Sequence, residues 1–407
     1  MAGPLKGLRV LDFSRVLAGP WSTQILADMG AEVIKIERPN RGDDTRHWGP
    51  PWFQGDDGSE TQESAYYLSA NRGKHSLTVD ISQPDGQELI RELASQSDIL
   101  VENFKKGDLA KKGLDYATLS ALNPGLIYCS ITGFGHTGPM AEKAGYDYLI
   151  QAQGGLMSIT GAADEEPGAG PKRVGVAVAD LTTGMNASIA ILGALHHRTQ
   201  TGEGQHIDMA LLDVQVSWLA NQAQNYFCSG QPPARTGDYH PNLVPYQPFP
   251  TADDEQIIIA IGNDAQFQRF CDAIGLDELA QDQRFATNAE RVKNRVELIQ
   301  VLESVTRTRT LKQWTVLLSD IGVPSGPIQD IGQVFDDPQV QARGMQVTLD
   351  SANGPVEGVA NPIKYSKTVL EYHKAPPTLG EDTSAVLERV LQKPASEIEA
   401  LREKGLI

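Results

Sequence analysis

The N-terminal third of the chain alternates between short apolar runs and segments whose apolar residues recur at helical spacing. LRVLDF and AEVIKIERP predict two buried strands, and a helix that opens at Gly19 and Pro20 and continues to Ala27 connects them. The alternation continues with SLTVDI, a helix over residues 86–95, SDILVENF, a helix near residues 116–121, and GLIYCSI. This order predicts an α/β fold, Rossmann-like, with a mostly parallel sheet covered on both faces. Ligands of such sheets bind at the carboxyl ends of the strands.

Two proline-rich segments interrupt this alternation, at residues 229–255 and 322–339. The strand QIIIAIG and several amphipathic helices lie between them, which suits a smaller α+β domain. A chain of 407 residues is also longer than a single core usually supports. We therefore predict the first part of a large α/β domain at 1–225, a small domain with its linker at 226–325, and a linker with a return to the large domain at 326–407.

Charge and cysteine content restrict the class of protein. The formal net charge is −17, because 52 acidic residues outnumber 35 Lys and Arg, and this disfavours nucleic acid or an anionic membrane as a partner. Cys129, Cys228 and Cys271 are far apart, which suits neither a disulfide framework nor a CxxC metal motif. No signal-peptide pattern and no apolar run of membrane-spanning length is present. These features predict a soluble, cytoplasmic protein.

Common cofactor motifs are weak or missing. GFGHTG, residues 133–138, matches G-x-G-x-x-G after a strand, but Pro139 and a polar stretch follow it instead of an immediate helix. We interpret it as a turn that permits close backbone approach. The sequence has no Walker A, HExxH or G-x-S-x-G pattern, and its histidines lack metal-ligand spacing. We predict no metal site and no serine nucleophile.

Cations cluster near the predicted strand ends in spite of the acidic composition. They are Arg15, Arg38, Arg46, Arg72 and Lys74, followed by Lys105, Lys106, Lys111 and Lys112 in ENFKKGDLAKKG. Such residues can form a solvated surface, or they can converge at one sheet edge and bind phosphate or carboxylate groups. The residues alone leave both interpretations open.

A single acid, Asp180, stands at the centre of VAVADLTTGMNASIAILGALHHR, residues 176–198. The small apolar run before it resembles a strand, and Met185, Ile189 and Leu192 recur at helical spacing after it. The pattern predicts that Asp180 is the N-cap of a long helix.

Signatures along the whole chain resemble those of the class III CoA-transferase (CaiB/BaiF) family, in the family's order. They are RVLAGPW, GAEVIKIERP, GDDTRHWGPP, YYLSANRGKHS, ENFKKGDL, YCSITGFGHTGP, AGYDY, ADLTTG, HPNLVPYQPFPTADD, GVPSGPI and PTLGEDT. Within the family the sequence is most similar to the succinyl-CoA:glutarate type of dicarboxylate CoA-transferase.

The resemblance implies an interlocked homodimer, with each active site between the large domain of one subunit and the small domain of its partner. It implies that Asp180 is the catalytic aspartate and that acyl-CoA and small carboxylic acids are the substrates, with no permanently bound cofactor. The CoA-binding residues it implies are Val16, Leu17, Ala18, Arg38, Asn71, Arg72, Lys74, Asn103, Phe104, Lys111, Tyr146 and Asp147. The substrate-binding residues it implies are Arg46, Trp48 and His240.

Two departures from family patterns affect the substrate and the reaction. HPNLVPYQ stands where formyl-CoA:oxalate members carry a glycine-rich flap, which argues against oxalate. Tyr146 occupies the position of a histidine acid/base in the related α-methylacyl-CoA racemases, which argues against racemisation. A racemase-type isomerase and a non-catalytic CoA-ester binding protein remain the alternatives.

The chemistry expected of Asp180 follows from the thioester. A carboxylate can attack this activated carbonyl, because a thiolate is a good leaving group, and the products are a mixed anhydride and then an aspartyl-CoA thioester. A helix start would keep Asp180 ionised and direct backbone amides at the oxyanion. The resemblance makes succinyl-CoA the expected donor and a short dicarboxylic acid such as glutarate the expected acceptor. Arg46 and Arg72 are candidates to grip its distal carboxylate, with CoA phosphates or a surface acid as their alternative partners.

Overall fold

The computed structural model describes residues 3–56 and 58–407. In chain order, the strands are β1 (Arg9–Asp12), β2 (Glu32–Glu37), β3 (Trp52–Gln54), β4 (Glu60–Ser64), β5 (Lys74–Thr78), β6 (Ile99–Glu102), β7 (Ile127–Thr132), β8 (His206–Ala210), β9 (Tyr246–Pro250), β10 (Gln256–Ala260), β11 (Ser325–Pro327), β12 (Gln346–Leu349) and β13 (Val356–Val359).

The helices are α1 (Ala18–Asp28), α2 (Ala65–Ser69), α3 (Pro84–Ser95), α4 (Tyr116–Leu122), α5 (Asp147–Gln153), α6 (Leu156–Ile159), α7 (Val178–Thr201), α8 (Leu211–Ser217), α9 (Ala220–Ser229), α10 (Asp264–Ile274), α11 (Asp277–Gln281), α12 (Asn288–Lys293), α13 (Arg295–Thr306), α14 (Leu311–Asp320), α15 (Ile331–Asp336), α16 (Pro338–Ala342), α17 (Thr383–Leu391) and α18 (Ala395–Glu403). Short 3-10 helices cover Asp44–His47 and Ala110–Lys112.

A six-stranded sheet with the order β5-β2-β1-β6-β7-β8 forms the centre of the first of two compact units. All its neighbouring strands are parallel, which confirms the predicted α/β class. Strand order reverses between β1 and β6, because the chain proceeds outward from β1 to β2 and β5 and then returns to the other side of β1. Ligands of open α/β sheets bind at such a reversal.

Alternate residues of the central strands bury opposite faces of this sheet. Val10 packs into the core cluster that contains Ile191 of α7, whereas the next residue, Leu11, packs into the cluster that contains Leu93 of α3. Both strand residues have no exposed surface. Burial on both faces explains why these strands are rich in Val, Ile and Leu at successive positions.

The second unit comprises Met157–Arg173 and Asn225–Pro338. Its antiparallel sheet has the order β11-β10-β9, and its core includes the fully buried Trp314. The two edge strands lie in the proline-rich segments, where Pro248 and Pro250 of β9 and Pro327 of β11 pair with β10. Proline is tolerated there because an edge strand does not need every backbone donor.

The first unit comprises the described residues up to Leu156, together with Val174–Gln224 and Gln339–Ile407. Its last segment reaches the edge of the parallel sheet, where Asp80 donates from its backbone N–H to the carbonyl of Leu406 at 2.8 Å. The predicted division at 1–225, 226–325 and 326–407 does not include the contribution of residues 157–173 to the second unit.

Some local predictions differ from the structure. Residues 174–177 form no strand, and α7 begins at Val178 with Ala177 as its N-cap, so the prediction that Asp180 is the cap is wrong. Strand β8 was not predicted, and alternate residues along it are exposed. Gly133 does provide the predicted close approach, because a Cβ there would lie 2.4 Å from Cα of Gly145.

Helix α7 is long and apolar enough to cross a membrane by length and composition, and half of its most apolar window is buried within the protein. It packs on α1 at Gly184, where a Cβ would lie 2.6 Å from the carbonyl oxygen of Ala18. These contacts are those of a core helix, and they set the position of its first turn relative to the start of α1.

Candidate active site

The turns that follow β1 and β6 are joined at the point where strand order reverses. Asn103 accepts a hydrogen bond from the backbone N–H of Arg15 at 2.9 Å and donates its amide N–H to the carbonyl of Arg15 at 2.7 Å. Phe104 donates its backbone N–H to the buried carboxyl of Glu102 at 2.7 Å. These bonds hold two loops from distant parts of the chain in one fixed arrangement.

Val16, in the first of these turns, has a φ of 71°. A β-branched residue rarely adopts this left-handed conformation, which costs about 1–3 kcal/mol. The carboxylate of Asp43 accepts from the Val16 backbone N–H at 3.2 Å, and Asp43 is itself paired with the buried Lys35 at 2.9 Å. The surrounding ion pair therefore maintains a strained turn at the site.

Two cavities of similar volume open beside these turns. The first cavity, of about 190 Å³, is lined by the turn after β1, the turn after β6, residues 141–146 and Asp180. The second cavity, of about 180 Å³, is lined by Arg38, Lys112 and the residues that follow β5. Among the described residues, Arg15, Asp44 and Phe104 line both cavities, so the two cavities adjoin at these side chains, and we call the pair the cleft.

Asp180 lies in the first turn of α7 and faces the first cavity. No described donor or cation contacts its carboxylate. A residue of another helix caps the start of α7. The carboxylate of Asp147, at the start of α5, accepts hydrogen bonds from the backbone N–H of Ala179 at 2.7 Å and from that of Asp180 at 3.4 Å. A second carboxylate therefore neutralises the positive end of the helix that carries Asp180.

Burial and the neighbouring charge of Asp147 raise the pKa of Asp180 to about 7. The sequence predicted that a helix start would keep Asp180 ionised, and this prediction is wrong. The amides that would stabilise its charge are used by Asp147, whose own charge opposes ionisation. Asp180 is consequently a carboxylate poised between its two protonation states near neutral pH.

This shift predicts a pH-dependent activity. If Asp180 must be ionised to react, kcat/KM falls about tenfold per pH unit below pH 7 and is level above it. Asp147→Asn removes the opposing charge, so we expect the midpoint of the profile to move to lower pH by about one unit. Steady-state rates between pH 5 and 9 measure the midpoint of the profile for both proteins. Circular dichroism checks that the proteins stay folded in each buffer. An unchanged midpoint would contradict the assigned cause.

The structure brings together a large part of the predicted site. The predicted residues that line the first cavity are Val16, Leu17, Ala18, Asn103, Phe104, Tyr146 and Asp180. Arg38 lines the second cavity, and Asp147 lies behind Asp180 as its helix cap. Tyr146 has 67% of its surface exposed, at the mouth of the cleft.

Four predicted site residues instead use their side chains in hydrogen bonds and ion pairs inside the protein. The buried Lys74 donates to Asp12 at 3.1 Å, to the Pro20 carbonyl and to Asn71, whose own amide donates to the Tyr67 carbonyl. Arg72 makes two hydrogen bonds with Asp28, at 2.8 and 2.6 Å. These three residues line neither half of the cleft.

Arg46 is the fourth of these residues. It makes two hydrogen bonds with Glu37 and also contacts Glu63 and the Pro377 carbonyl. Only 5% of its surface is exposed. Its guanidinium is therefore held in an internal ion-pair network that spans three segments of the chain.

The remaining predicted residues also lie outside the cleft. Lys111 is exposed and pairs with Asp108, whereas its neighbour Lys112 lines the second cavity. Trp48 is partly exposed and packs edge to face on Tyr66. His240 belongs to the second unit, where its ring packs near Tyr246.

Sequence reasoning did not assign Tyr66, which lines a third cavity of about 750 Å³ together with Trp21, Trp52 and Arg72. Burial and the charges of Asp180 and Asp147 raise the pKa of Tyr66 to about 12, so its hydroxyl stays protonated. Nothing in the sequence signals its position, because it depends on folding β3, β4 and α2 against the start of α7.

In the described part of the chain, no group of three or more His, Cys, Asp or Glu side chains could hold a metal ion.

Comparisons with known proteins agree with this architecture. A family model described as CoA-transferase family III matches residues 5–383. The chain is 51% identical over 385 residues to a succinate–glutarate CoA-transferase of Agrobacterium fabrum, covering 94% of this chain and 95% of the relative. It is 42% identical over 405 residues to a human succinyl-CoA:glutarate CoA-transferase, covering 99% and 90%. A solved CAIB/BAIF family structure from Brucella suis superposes with a TM-score of 0.85 at 48% identity, covering 96% of this chain and all of that one.

Proposed function

The chain belongs to CoA-transferase family III and is a CoA-transferase; on this basis we propose that it moves CoA from succinyl-CoA to glutarate or a similar short dicarboxylic acid, with Asp180 as nucleophile. The observation that carries this proposal is the unpaired Asp180 carboxylate in a cavity at the strand-order reversal. The names of the similar enzymes support the choice of acids.

The first half of the reaction transfers CoA to the protein. An oxygen of the Asp180 carboxylate attacks the thioester carbonyl carbon, the carbon–sulfur bond breaks, and CoA thiolate leaves a mixed anhydride between Asp180 and the donor acid. The thiolate then attacks the Asp180 carbonyl carbon of this anhydride. That step forms an aspartyl-CoA thioester and releases the donor acid as its carboxylate.

The second half reverses these steps with the acceptor. The acceptor carboxylate attacks the aspartyl thioester, CoA thiolate leaves again, and the thiolate attacks the acceptor's acyl carbon. The products are the new acyl-CoA and the free Asp180 carboxylate. No net proton is taken up or released, so the cycle requires only positioned groups and stabilisation of transient negative charge.

The start of α1 suits this charge stabilisation. Leu17 and Ala18, at the first turn of the helix, line the same cavity as Asp180. The first amides of a helix have no partners within the helix and lie at the positive end of its dipole. They can stabilise the negative charge that develops on the carbonyl oxygen during each attack, which lowers the barrier to that attack.

The acceptor preference is testable with acids of matched length. We expect glutarate to be used at least about 10²-fold more efficiently than butyrate or valerate, because a buried distal carboxylate must meet a cation or several donors. Of the two arginines proposed for this role, Arg72 reaches the third cavity, whereas Arg46 is enclosed by acids. Mass spectrometry of products from succinyl-CoA and an acid panel measures the preference. Faster use of butyrate or a long-chain acid would refute the dicarboxylate assignment.

We further propose that the active form is the interlocked homodimer and that the enzyme is cytoplasmic. Exposed apolar side chains on the first unit support an interface, since Val176, Ile189 and Trp218 have 56, 66 and 49% of their surface exposed. Three free cysteines suit a reducing compartment.

A further inference from the structure

We propose that Glu102 is a positioning residue whose charge, supported by Ser130 and His206, sets how firmly the turn after β6 is held. The inference goes beyond the proposed function, in which no step uses this carboxyl. It makes the ionisation of Glu102 a second pH-dependent event beside the cleft, separate from the ionisation of Asp180.

Glu102 is the one buried acid in the described part of the chain that forms no ion pair. It is the last residue of β6, and 5% of its surface is exposed. Each of the other buried acids pairs with a Lys or an Arg; these acids are Asp12, Asp28, Glu37 and Asp43. A buried carboxylate without a cation is costly, so the charge of Glu102 depends on hydrogen bonds.

Two hydrogen bonds reach the Glu102 carboxyl. Phe104 donates its backbone N–H at 2.7 Å, from the turn that lines the cleft. Ser130, the residue opposite Glu102 on β7, contributes its hydroxyl. Burial raises the pKa of Glu102 to about 7, and both hydrogen bonds oppose this rise. Both forms of the carboxyl are therefore populated near neutral pH.

Ser130 connects Glu102 to the edge strand of the sheet. Its Oγ lies 2.9 Å from Nε2 of His206, the first residue of β8. A serine hydroxyl has one proton, so when Ser130 donates to the Glu102 carboxylate it can only accept from the Nε2–H of His206. The His206 ring stacks on Tyr116, with the ring centres 5.3 Å apart. Hydrogen bonds in such a chain strengthen one another, and this chain favours the ionised form of Glu102.

Several other titratable groups lie around Glu102 and its partners. Burial raises the pKa of Tyr128 and of Cys129 on β7, so both stay neutral. Burial and the neighbouring His136 lower the pKa of His206, so its ring is neutral at pH 7. The remaining charged groups near these strands are Asp115, Asp208 and the Asp12–Lys74 pair. The pH dependence is therefore assigned by comparison with a variant in which Glu102 cannot titrate.

The charge of Glu102 acts on the cleft through Phe104. A carboxylate accepts a stronger hydrogen bond than a neutral carboxyl does, so the turn is held more firmly when Glu102 is ionised. Asn103, in the same turn, holds the backbone of Arg15 through two hydrogen bonds. Protonation of Glu102 therefore loosens both loops that line the cleft. It weakens binding of the acyl-CoA substrate more than it slows the chemical step at Asp180.

Infrared titration detects the proton on Glu102 without any substrate, because a protonated carboxyl has a carbonyl stretch that a carboxylate lacks. The titration uses Asp180→Asn, in which Asp180 gives no signal, and compares it with Asp180→Asn/Glu102→Gln. We expect a carboxyl band that disappears with a midpoint near pH 7 and is missing in the double variant. Ser130→Ala, added to Asp180→Asn, should raise the midpoint by about one pH unit. Ser95→Ala is its control, because Ser95 is an exposed serine at the end of α3.

The kinetic test rests on the proposed function and measures KM for succinyl-CoA with glutarate as acceptor. Glu102→Gln keeps an oxygen that can accept from Phe104 but cannot ionise, so it reproduces the protonated form at every pH. We expect its KM to exceed the wild-type value about 5- to 10-fold at pH 8 and to match it within about 2-fold at pH 6, with kcat within about 3-fold. A merely structural role would raise KM equally at both pH values. Glu88→Gln is the matched control, because Glu88 is an exposed acid that pairs with Arg91 on α3.

An unchanged KM of Glu102→Gln at pH 8, a KM difference that is the same at both pH values, or a Glu102 band that titrates below pH 5 would overturn the proposal. If Glu102→Gln melts early, Ser130→Ala replaces it, and its KM should exceed the wild-type value most near pH 7 and match it at pH 5. A protein that shows the Glu102 band but transfers CoA to no acid would refute the proposed function and leave the ionisation of Glu102 established.

Discussion

Replacing Asp180 with asparagine is expected to lower the rate of CoA transfer by on the order of 10⁴-fold or more while the fold remains intact. An amide oxygen cannot form the mixed anhydride, and no other unpaired carboxylate among the described residues faces the first cavity beside the start of α1. Exchange of labelled glutarate into glutaryl-CoA measures the loss. Asp213→Asn is the matched control, because Asp213 is an exposed acid in the first turn of α8.

The covalent intermediate on Asp180 can be detected directly on the protein. Wild-type protein treated with an acyl-CoA donor should carry CoA on the peptide that contains Asp180, and borohydride or hydroxylamine should convert that adduct to a stable mass change. The label should be missing in Asp180→Asn. A label on another peptide, or full activity of the asparagine variant, would refute the nucleophile assignment.

Lys74→Ala is expected to lower the free energy of unfolding by about 3–5 kcal/mol, because it leaves Asp12 without its buried partner. Lys74 and Asp12 have no exposed surface and lie 3.1 Å apart. Burial lowers the pKa of Lys74 to about 8, while the charge of Asp12 opposes this shift. Lys74 is therefore still mainly protonated at pH 7, and the pair is ionic.

Urea denaturation at pH 7 measures this effect, with Lys404→Ala as the control. Lys404 pairs with Asp85 on the surface, and we expect a change within about 0.5 kcal/mol for its removal. The family resemblance implied that Lys74 binds CoA. Unchanged stability together with a loss of CoA affinity in Lys74→Ala would restore that role.

Five of the six strands of the parallel sheet, all except β8, were predictable together with their order along the chain, because most of their residues are buried, whereas alternate residues of β8 are exposed. LRVLDF, AEVIKIERP and GLIYCSI are rich in Val, Ile and Leu over the length of a strand, and the structure places β1, β2 and β7 within them. The start of α7 was not predictable in the same way. Its first turn is apolar, and the carboxylate that caps it belongs to Asp147, at the start of a different helix.

For the cations, too, the position in the sequence is local, whereas the acidic partner of each side chain comes from another part of the fold. Their positions in the sequence left a solvated surface and an anion-binding edge as alternatives, and Arg15 and Arg38 do line the cleft. Arg46, in the 3-10 helix after β2, Arg72, just before β5, and Lys74, at the start of β5, were candidates on the same ground of charge. They form ion pairs with the buried acids Glu37, Asp28 and Asp12 respectively, and these acids lie in other segments of the chain.

The sequence by itself determined the α/β class, the family and the identity of Asp180 as the candidate nucleophile, because periodicity and motif order are properties of the chain. Only the tertiary structure decided which cations line the cleft and in which direction the pKa of Asp180 is shifted. Both depend on desolvation and on charges from other elements, such as Asp147 beside Asp180, and these interactions exist only after the chain has folded.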